Sequence, residues 1–139
     1  MTQVADIMSR GVRTLASNDS IVAAAKAMRE LDVGVIPVCD GQTLVGLVTD
    51  RDIVLRAIAQ DRTSETRLAD VMSDAPCWCY LDQSVEEVAE QMRQHQIRRV
   101  PVLDHQKRLV GMLSLGDMAT RGSEATAGEA LERISEPVS

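Results

Sequence analysis

The sequence contains the same three segments twice, in the same order and at nearly constant spacing. VADIMS at 4–9 returns as LADVMS at 68–73, and IPVCD at 36–40 returns as VPVLD at 100–104, both 64 residues later. LVGLVTDRDI at 44–53 returns as LVGMLSLGDM at 109–118, 65 residues later, because the second copy has one extra residue in the preceding turn. Two copies of a half-domain-sized unit predict a pseudo-twofold fold, in which any site built by one copy has a counterpart in the other.

The composition argues against several classes of function. Of the 139 residues, 45% are hydrophobic, and the aromatic ones are one Trp and one Tyr with no Phe, so we expect one domain with an aliphatic core. A net charge of −6 argues against binding to nucleic acid or an anionic membrane. No apolar segment approaches the roughly 20 residues that span a bilayer, and the N-terminal residues lack a signal-peptide pattern. We therefore expect a cytoplasmic protein.

The three cysteines lack the spacing of a metal or redox site. Cys77 and Cys79 lie two residues apart, which on a strand would place both thiols on one face. His95 and His105 have no companion ligands at metal-binding spacing. We interpret the cysteines as small buried or partly exposed thiols, and a disulfide that involves Cys39 stays open because a sequence does not give distances.

Each copy is predicted to form a short helical turn and then a strand, a helix, two strands and a helix. Ser20 can cap the first long helix, and Ser84 with Glu87 forms a capping box for its counterpart. The fold class is therefore α+β, with two half-domains whose sheets need a partner to cover them. The predicted elements are a turn at 4–8, strand 12–15, helix 20–31, strands 35–39 and 44–48 and helix 49–59, followed by a turn at 68–72, strand 78–81, helix 84–95, strands 99–103 and 109–113 and a helix from 114.

The composition along the chain also predicts boundaries. The first copy spans 1–60, a polar linker spans 61–67 and the second copy spans 68–122. An Ala- and Glu-rich segment, 123–139, follows, and 128–134 has helical character. We assign no function to this C-terminal segment.

The sharpest local pattern is Gly, two apolar residues, Thr or Ser, two variable residues, Asp and an apolar residue. It occurs at 46–53 and again at 111–118. Thr/Ser-x-x-acid is also a capping box, which helices use without any ligand, as at Ser84. However, a helix N-terminus presents unpaired N–H groups to a phosphate, and an Asp can accept both hydroxyls of a ribose. The pattern therefore has two interpretations, a helix cap alone or a nucleotide site built on a helix cap.

The duplicated combination of Asp-Ile-Met, the strand with Ile36-Pro37-Val38, and the pattern at 46–53 resembles the CBS domain family. Two such motifs in tandem form a Bateman module, and the resemblance covers residues 4–122. It implies two pseudo-symmetric βαββα motifs packed sheet to sheet as one module, with an adenosine-ligand site in a cleft associated with each copy. It also implies a homodimer, which agrees with the broad apolar surfaces of the helices at 20–31 and 53–58.

The resemblance implies a role for each residue that matches the family's motif. Thr49 would bind phosphate and Asp52 ribose in the first copy, and Ser114 and Asp117 would do so in the second. The two residues before each proline would flank the adenine base and offer backbone hydrogen bonds. One residue on the first strand of each copy occupies an equivalent position in the two copies. These further candidates are Ile36 and Val100 with their neighbours Val35 and Arg99, and Thr14 and Trp78, of which Trp78 either stacks on an adenine or belongs to the core.

The copies differ beside the pattern. Asp50 would repel a phosphate and Arg51 could attract one, whereas the second copy has neither charge. Arg98 and Arg99 could clamp a phosphate, or could be solvated charges on a strand edge. We therefore predict two unequal clefts. The differing pairs are Asp50-Arg51 against Leu115-Gly116, and Gly34-Val35 against Arg98-Arg99.

Two functions fit these observations. The first is a non-catalytic regulatory module that binds AMP, ADP or ATP as a homodimer and acts on a regulated protein that the sequence does not identify. The second is a CBS module without ligand, with a structural or protein-interaction role. An enzyme would need a nucleophile–base pair or a metal set, and the sequence shows neither pattern. We therefore predict no enzymatic activity and no required cofactor.

Overall fold

The chain folds into two units whose limits do not follow the repeat. In the computed structural model, which describes residues 2–74 and 77–121, the first unit is Arg13–Ala75, and the second unit combines Met1–Val12 with Pro76–Ser139. The VADIMS segment thus folds with the strands of the second copy, and the LADVMS segment folds with those of the first. The C-terminal segment 123–139, including the helix predicted at 128–134, lies outside the described residues.

The observed elements have the α+β order that the sequence predicts. Short 3₁₀ turns at Ile58–Gln60 and Leu68–Asp70 accompany them. The helices and strands, in chain order, are α1 (Val4–Ile7), α2 (Ile21–Leu31), β1 (Val35–Asp40), β2 (Thr43–Thr49), α3 (Asp50–Arg56), β3 (Cys79–Tyr80), α4 (Val85–His95), β4 (Arg99–Leu103), β5 (Leu109–Ser114) and α5 (Leu115–Arg121).

In the first unit, β1 and β2 form an antiparallel pair in which Val35 lies opposite Thr49. The strand predicted at 12–15 is wrong in extent, because only Leu15 makes a bridge, parallel to Val38. A turn follows at once, in which the Ala16 N–H donates to the Asp19 carboxylate at 2.8 Å.

In the second unit, β3, β4 and β5 form one sheet in that order, with β3 parallel and β5 antiparallel to β4. Arg99 on β4 lies opposite Ser114 on β5. The strand predicted at 78–81 is shorter than expected and comprises Cys79–Tyr80. The Leu81 N–H still donates to the Leu103 carbonyl at 3.0 Å, and a turn follows in which the Tyr80 N–H donates to the Gln83 side chain at 2.8 Å.

Capping residues mark both ends of the two long helices, α2 and α4. The hydroxyls of Ser20 and Ser84 accept hydrogen bonds from the first turns of α2 and α4, as expected for N-caps. Asp32 and Gln96 adopt left-handed φ values of 54° and 53° and end the same helices. The prediction that the third helix continues to 59 is wrong, since α3 ends at Arg56 and the chain tightens into a 3₁₀ turn.

Each unit has its own aliphatic core, between its helices and one face of its strands. Cys77 and Cys79 are both buried in the second unit's core, although Cys77 lies before β3 and not on the strand, and Cys39 is also buried. All three are free thiols, which answers the question of a disulfide at Cys39. Burial raises the pKa of each thiol, that of Cys79 to about 12.

Candidate functional site

Each unit contains a contact between the Met-Ser end of one repeat and the Gly-led strand of the other. In the first unit, backbone hydrogen bonds of 2.8 and 2.9 Å join Leu47 and Ser73 in both directions. In the second, Met112 and Ser9 are joined in the same way, at 2.8 and 3.0 Å. This contact ties the two duplicated motifs together within each unit.

The glycines of the pattern make this close approach feasible. A Cβ atom at Gly46 would lie 2.8 Å from the Ser73 carbonyl oxygen, and one at Gly111 would lie 2.7 Å from that of Ser9. Real Cβ atoms do not approach backbone oxygens so closely. The glycines therefore allow the neighbouring backbone to come near, as expected for a strand glycine.

Thr49 and Asp52 form a complete capping box at the start of α3. The Asp52 N–H donates to the Thr49 hydroxyl at 2.9 Å, and the Thr49 N–H donates to Asp52 Oδ2 at 3.0 Å. The other carboxylate oxygen, Oδ1, accepts the Ser73 hydroxyl at 3.3 Å and lies 3.8 Å from Arg56 Nε. Two backbone carbonyls, of Val71 and Met72, also accept from this Arg56 side chain, which fixes it beside the carboxylate.

Ser114 and Asp117 repeat the arrangement at the start of α5. The Asp117 N–H donates to the Ser114 hydroxyl at 3.0 Å, and the Ser114 N–H donates to Asp117 Oδ2 at 3.0 Å. The Ser9 hydroxyl donates to Asp117 Oδ1 at 3.3 Å. Both units thus present a hydroxyl residue, a partly buried carboxylate and a second serine at a helix N-terminus.

The strands before the prolines lie next to these helix starts. Ile36 and Val100 are fully buried, so their side chains belong to the cores. Successive residues of a strand direct their backbone groups to alternate edges. The Pro37 carbonyl faces Leu15, so Val35 faces that same edge and Ile36 faces β2. By the same alternation, Arg99 is the residue of β4 whose backbone faces the β3 edge, because the Leu103 carbonyl accepts from Leu81.

The structure places Thr14 and Trp78 at equivalent points beside these strands. Thr14 is exposed and precedes Leu15, the residue that bridges to β1. Trp78 precedes β3 and is 37% exposed, so it does not belong to the core. Its ring contacts Tyr80 edge-on, and Tyr80 stacks on His105. A hydrogen bond from His105 lowers the pKa of Asp82.

The two positions at which the copies differ, before the proline strand and at the helix start, are in contact with each other in each unit. In the first, the Asp50 N–H donates to the Gly34 carbonyl at 3.0 Å, and the Asp50 carboxylate occupies the space that a side chain at Gly34 would need. In the second, the Leu115 N–H donates to the Arg98 carbonyl at 3.1 Å, and Leu115 is buried. An acid facing a glycine is thus exchanged for an apolar residue facing an arginine.

The sequence interpretation missed Ser9 and Ser73. Both end the duplicated VADIMS and LADVMS segments at the same position, so their repetition was a usable signal. What the repeat could not reveal is that each serine reaches the Asp of the other copy's pattern.

The geometry and the comparisons with known proteins agree. The model of the CBS domain family matches residues 4–58 and again residues 68–124. The chain belongs to the CBS domain family. The CBS domain-containing protein YhcV of Bacillus subtilis is 43% identical over 136 residues, which are 97% of this chain and 96% of YhcV.

Solved structures show the same fold. Hypoxic Response Protein I, with two coordinated zinc ions, has a TM-score of 0.76 at 37% identity and covers 86% of this chain and 98% of its own. The CBS domain pair of MJ0100, in complex with 5′-methylthioadenosine and S-adenosyl-L-methionine, has a TM-score of 0.74 at 31% sequence identity. The match covers 93% of this chain and 98% of the MJ0100 chain. PAE2072 of Pyrobaculum aerophilum, complexed with AMP, has a TM-score of 0.77 at 25% sequence identity. The match covers 94% of this chain and 99% of the PAE2072 chain. Two of these similar structures, MJ0100 and PAE2072, therefore contain adenosine compounds.

Two further observations apply to the described part of the chain, 2–74 and 77–121. None of its helices is long and apolar enough to cross a membrane. Nor does it contain a group of three or more His, Cys, Asp and Glu side chains that could hold a metal ion.

Proposed function

We propose that the protein is a non-catalytic regulatory module that binds an adenosine nucleotide such as AMP, ADP or ATP in each unit. The observation that carries this proposal is the duplicated pairing of a hydroxyl residue and a carboxylate at the start of α3 and α5. Adenosine compounds bound to the similar CBS pairs support the ligand class. The ligand acts as an effector, and no cofactor is required.

Each carboxylate keeps the capacity to accept ribose hydroxyls. An ionised carboxylate has about four lone-pair positions. Each Asp has one short backbone contact and one longer hydroxyl contact, and Asp52 also lies 3.8 Å from Arg56 Nε. The hydroxyls of Thr49 and Ser114 lie at a helix N-terminus, whose N–H groups and dipole favour a phosphate. The same residues can therefore cap the helix and receive a nucleotide.

The base would lie along the exposed strand edge next to the helix start. Val35 lies directly opposite Thr49, and Arg99 directly opposite Ser114. Cross-strand neighbours have Cβ atoms about 4.5–5.5 Å apart, so the backbone that meets the base adjoins the hydroxyl that meets the phosphate. Thr14 and the exposed Trp78 flank these edges, and Trp78 offers a ring face to an adenine.

The two sites differ in charge. The first carries the Asp50 carboxylate at its helix start, while the second has Leu115 there, with Arg99 on the adjoining strand and Arg98 just before it. Arginine binds phosphate strongly through paired N–H groups. We therefore expect the second unit to be the tighter site for a nucleotide with phosphates, and the first to favour ligands with less negative charge.

Calorimetry tests the assignment. Wild-type protein is titrated with AMP, ADP, ATP and S-adenosylmethionine, and the titrations are repeated with Asp52→Ala and Asp117→Ala. Losing hydrogen bonds to a charged group costs about 1.5–3 kcal/mol, which is roughly ten- to a hundredfold in Kd for the affected site. Unchanged binding in both variants would remove the ribose assignment. Ser84→Ala, which removes a cap with no Gly-led strand before it, is the matched control and should bind normally.

We also propose that the protein is a homodimer. The first unit exposes four large aliphatic side chains on α2, α3 and the turn after α3. Leu31, Val54, Leu55 and Ile58 are 45%, 53%, 45% and 61% exposed. Light scattering should give twice the mass of one chain, and a monomer at micromolar concentration would contradict the proposal.

One observation favours a second candidate, a CBS module without ligand that acts by protein interaction. Both capping boxes are complete with protein groups alone, so the pattern can be explained by helix capping. Under this alternative, Asp52→Ala and Asp117→Ala lower stability, and no adenosine compound produces a saturable heat.

A further inference from the structure

We infer that Ser73 and Ser9 are positioning residues of the two nucleotide sites, and that each serine serves the site built by the other copy's Gly-led pattern. Ser73, from the second repeat, orients Asp52 in the first unit. Ser9, from the first repeat, orients Asp117 in the second. This inference rests on the proposed nucleotide function and adds how its ribose-binding carboxylates are held.

The two oxygens of each carboxylate have different hydrogen-bond partners, which supports this role. Oδ2 of Asp52 is committed to the capping box, at 3.0 Å from the Thr49 nitrogen, and the Ser73 hydroxyl addresses only Oδ1, at 3.3 Å. Asp117 divides its oxygens in the same way between Ser114 and Ser9. The oxygen that remains for a ligand is therefore the one that the serine touches.

The hydroxyl is not needed to hold its own segment in place. Ser73 is bound to Leu47 by backbone hydrogen bonds in both directions, and Ser9 to Met112 likewise. Replacing either serine with alanine keeps all four of these bonds. The side chain is thus free to serve the carboxylate, and its removal should leave the backbone where it is.

The hydroxyl–carboxylate contact is longer than an ordinary hydrogen bond. An O–H···O hydrogen bond is usually about 2.7–2.8 Å long, and both serine contacts measure 3.3 Å. The serine uses one of the roughly two lone-pair positions of Oδ1 and leaves the other available, and at Asp52 the same oxygen also lies 3.8 Å from Arg56 Nε. A ribose hydroxyl can share this oxygen with the serine.

The test measures ribose discrimination at one site at a time. With Asp117→Ala as the background, only the first unit keeps its carboxylate, and Kd is measured for AMP and for 2′-deoxy- and 3′-deoxy-AMP. Adding Ser73→Ala should reduce the preference for AMP over the deoxy analogues about threefold to tenfold, in line with one weak hydrogen bond to a charged group. Adding Ser84→Ala, which removes the hydroxyl that caps α4, is the matched control and should leave the preference unchanged. With Asp52→Ala as the background, Ser9→Ala should reduce the preference at the second unit in the same way, and Ser84→Ala is again the control.

The outcomes separate the inference from the proposed function. Equal weakening of all three ligands by Ser73→Ala would mean a general structural effect and would overturn the inference. An unchanged or increased preference for AMP would also overturn it, and so would an equal loss of preference on adding Ser84→Ala. If the wild-type protein bound no nucleotide, the proposed function would fail, and this inference with it.

Discussion

Replacing Gly46 or Gly111 with alanine tests whether the close backbone contact with Ser73 or Ser9 stabilises each unit. A Cβ atom at position 111 would lie 2.7 Å from the Ser9 carbonyl and 2.8 Å from the Met8 sulfur, and one at position 46 would lie 2.8 Å from the Ser73 carbonyl. A flexible sulfur can move, but a backbone oxygen that is hydrogen-bonded in a bridge cannot move without breaking it. Both substitutions should therefore destabilise the fold.

The magnitude follows from two opposing effects. Overpacking typically costs 1–3 kcal/mol, and replacing glycine offsets about 0.4–1 kcal/mol by restricting the unfolded chain. We expect a net loss of about 1–2 kcal/mol in the free energy of unfolding for Gly111→Ala and for Gly46→Ala.

Urea unfolding of the wild type and the variants, followed by far-UV circular dichroism, measures the change. Gly116→Ala is the matched control, because its Cβ would meet only the Ser114 hydroxyl at an ordinary 3.5 Å. In helix α5 this change should stabilise the protein by a few tenths of a kcal/mol up to about 1 kcal/mol. If Gly111→Ala were as stable as Gly116→Ala, the close approach of the Ser9 segment would be refuted.

Four further predictions concern single groups. Ser84→Ala should lower the free energy of unfolding by about 1 kcal/mol through loss of the α4 cap, as measured by urea unfolding. Asp50→Asn should tighten AMP binding at the first unit up to about fivefold at low salt, the scale of an exposed charge pair, and leave adenosine binding unchanged in calorimetry. At pH 8, the buried Cys39, Cys77 and Cys79 should react with a thiol reagent much more slowly in native than in unfolded protein, because burial raises their pKa values. His105→Ala should raise the pKa of Asp82 in a carbon-13 NMR titration, because the His105 hydrogen bond lowers it. That bond stabilises the fold above the ordinary carboxyl pKa, and its contribution is lost as the pH falls through the lowered value.

The repeat made most of the fold predictable. Three motifs in order, twice, identify the α+β halves, and the bounds of β4 and the end of α4 at His95 agree with the prediction. The first strand of each copy was overestimated, because it has few ladder partners: Leu15 makes one bridge in the first copy, and Cys79–Tyr80 form the strand in the second. Local propensity does not show how many partners a strand finds in the fold.

The partners within each site were harder to predict than its members. The pattern singled out Thr49, Asp52 and their counterparts, and they form the expected pairs. The serines escaped notice because a linear repeat suggests that each motif folds with its own copy, whereas Ser9 lies 108 residues from Asp117. The exchange of Gly34 and Asp50 for Arg98 and Leu115 was visible as separate differences, and only the fold shows that they are contacts.

An AMP titration followed by amide NMR shifts tests most directly whether the two capped helix starts are nucleotide sites. Saturable shifts should appear at the amides of 49–53 and 114–118, with a tighter midpoint for the second group, and Asp52→Ala should weaken only the response of the first. The absence of a saturable shift at both helix starts, or shifts that neither Asp52→Ala nor Asp117→Ala alters, would contradict the assignment.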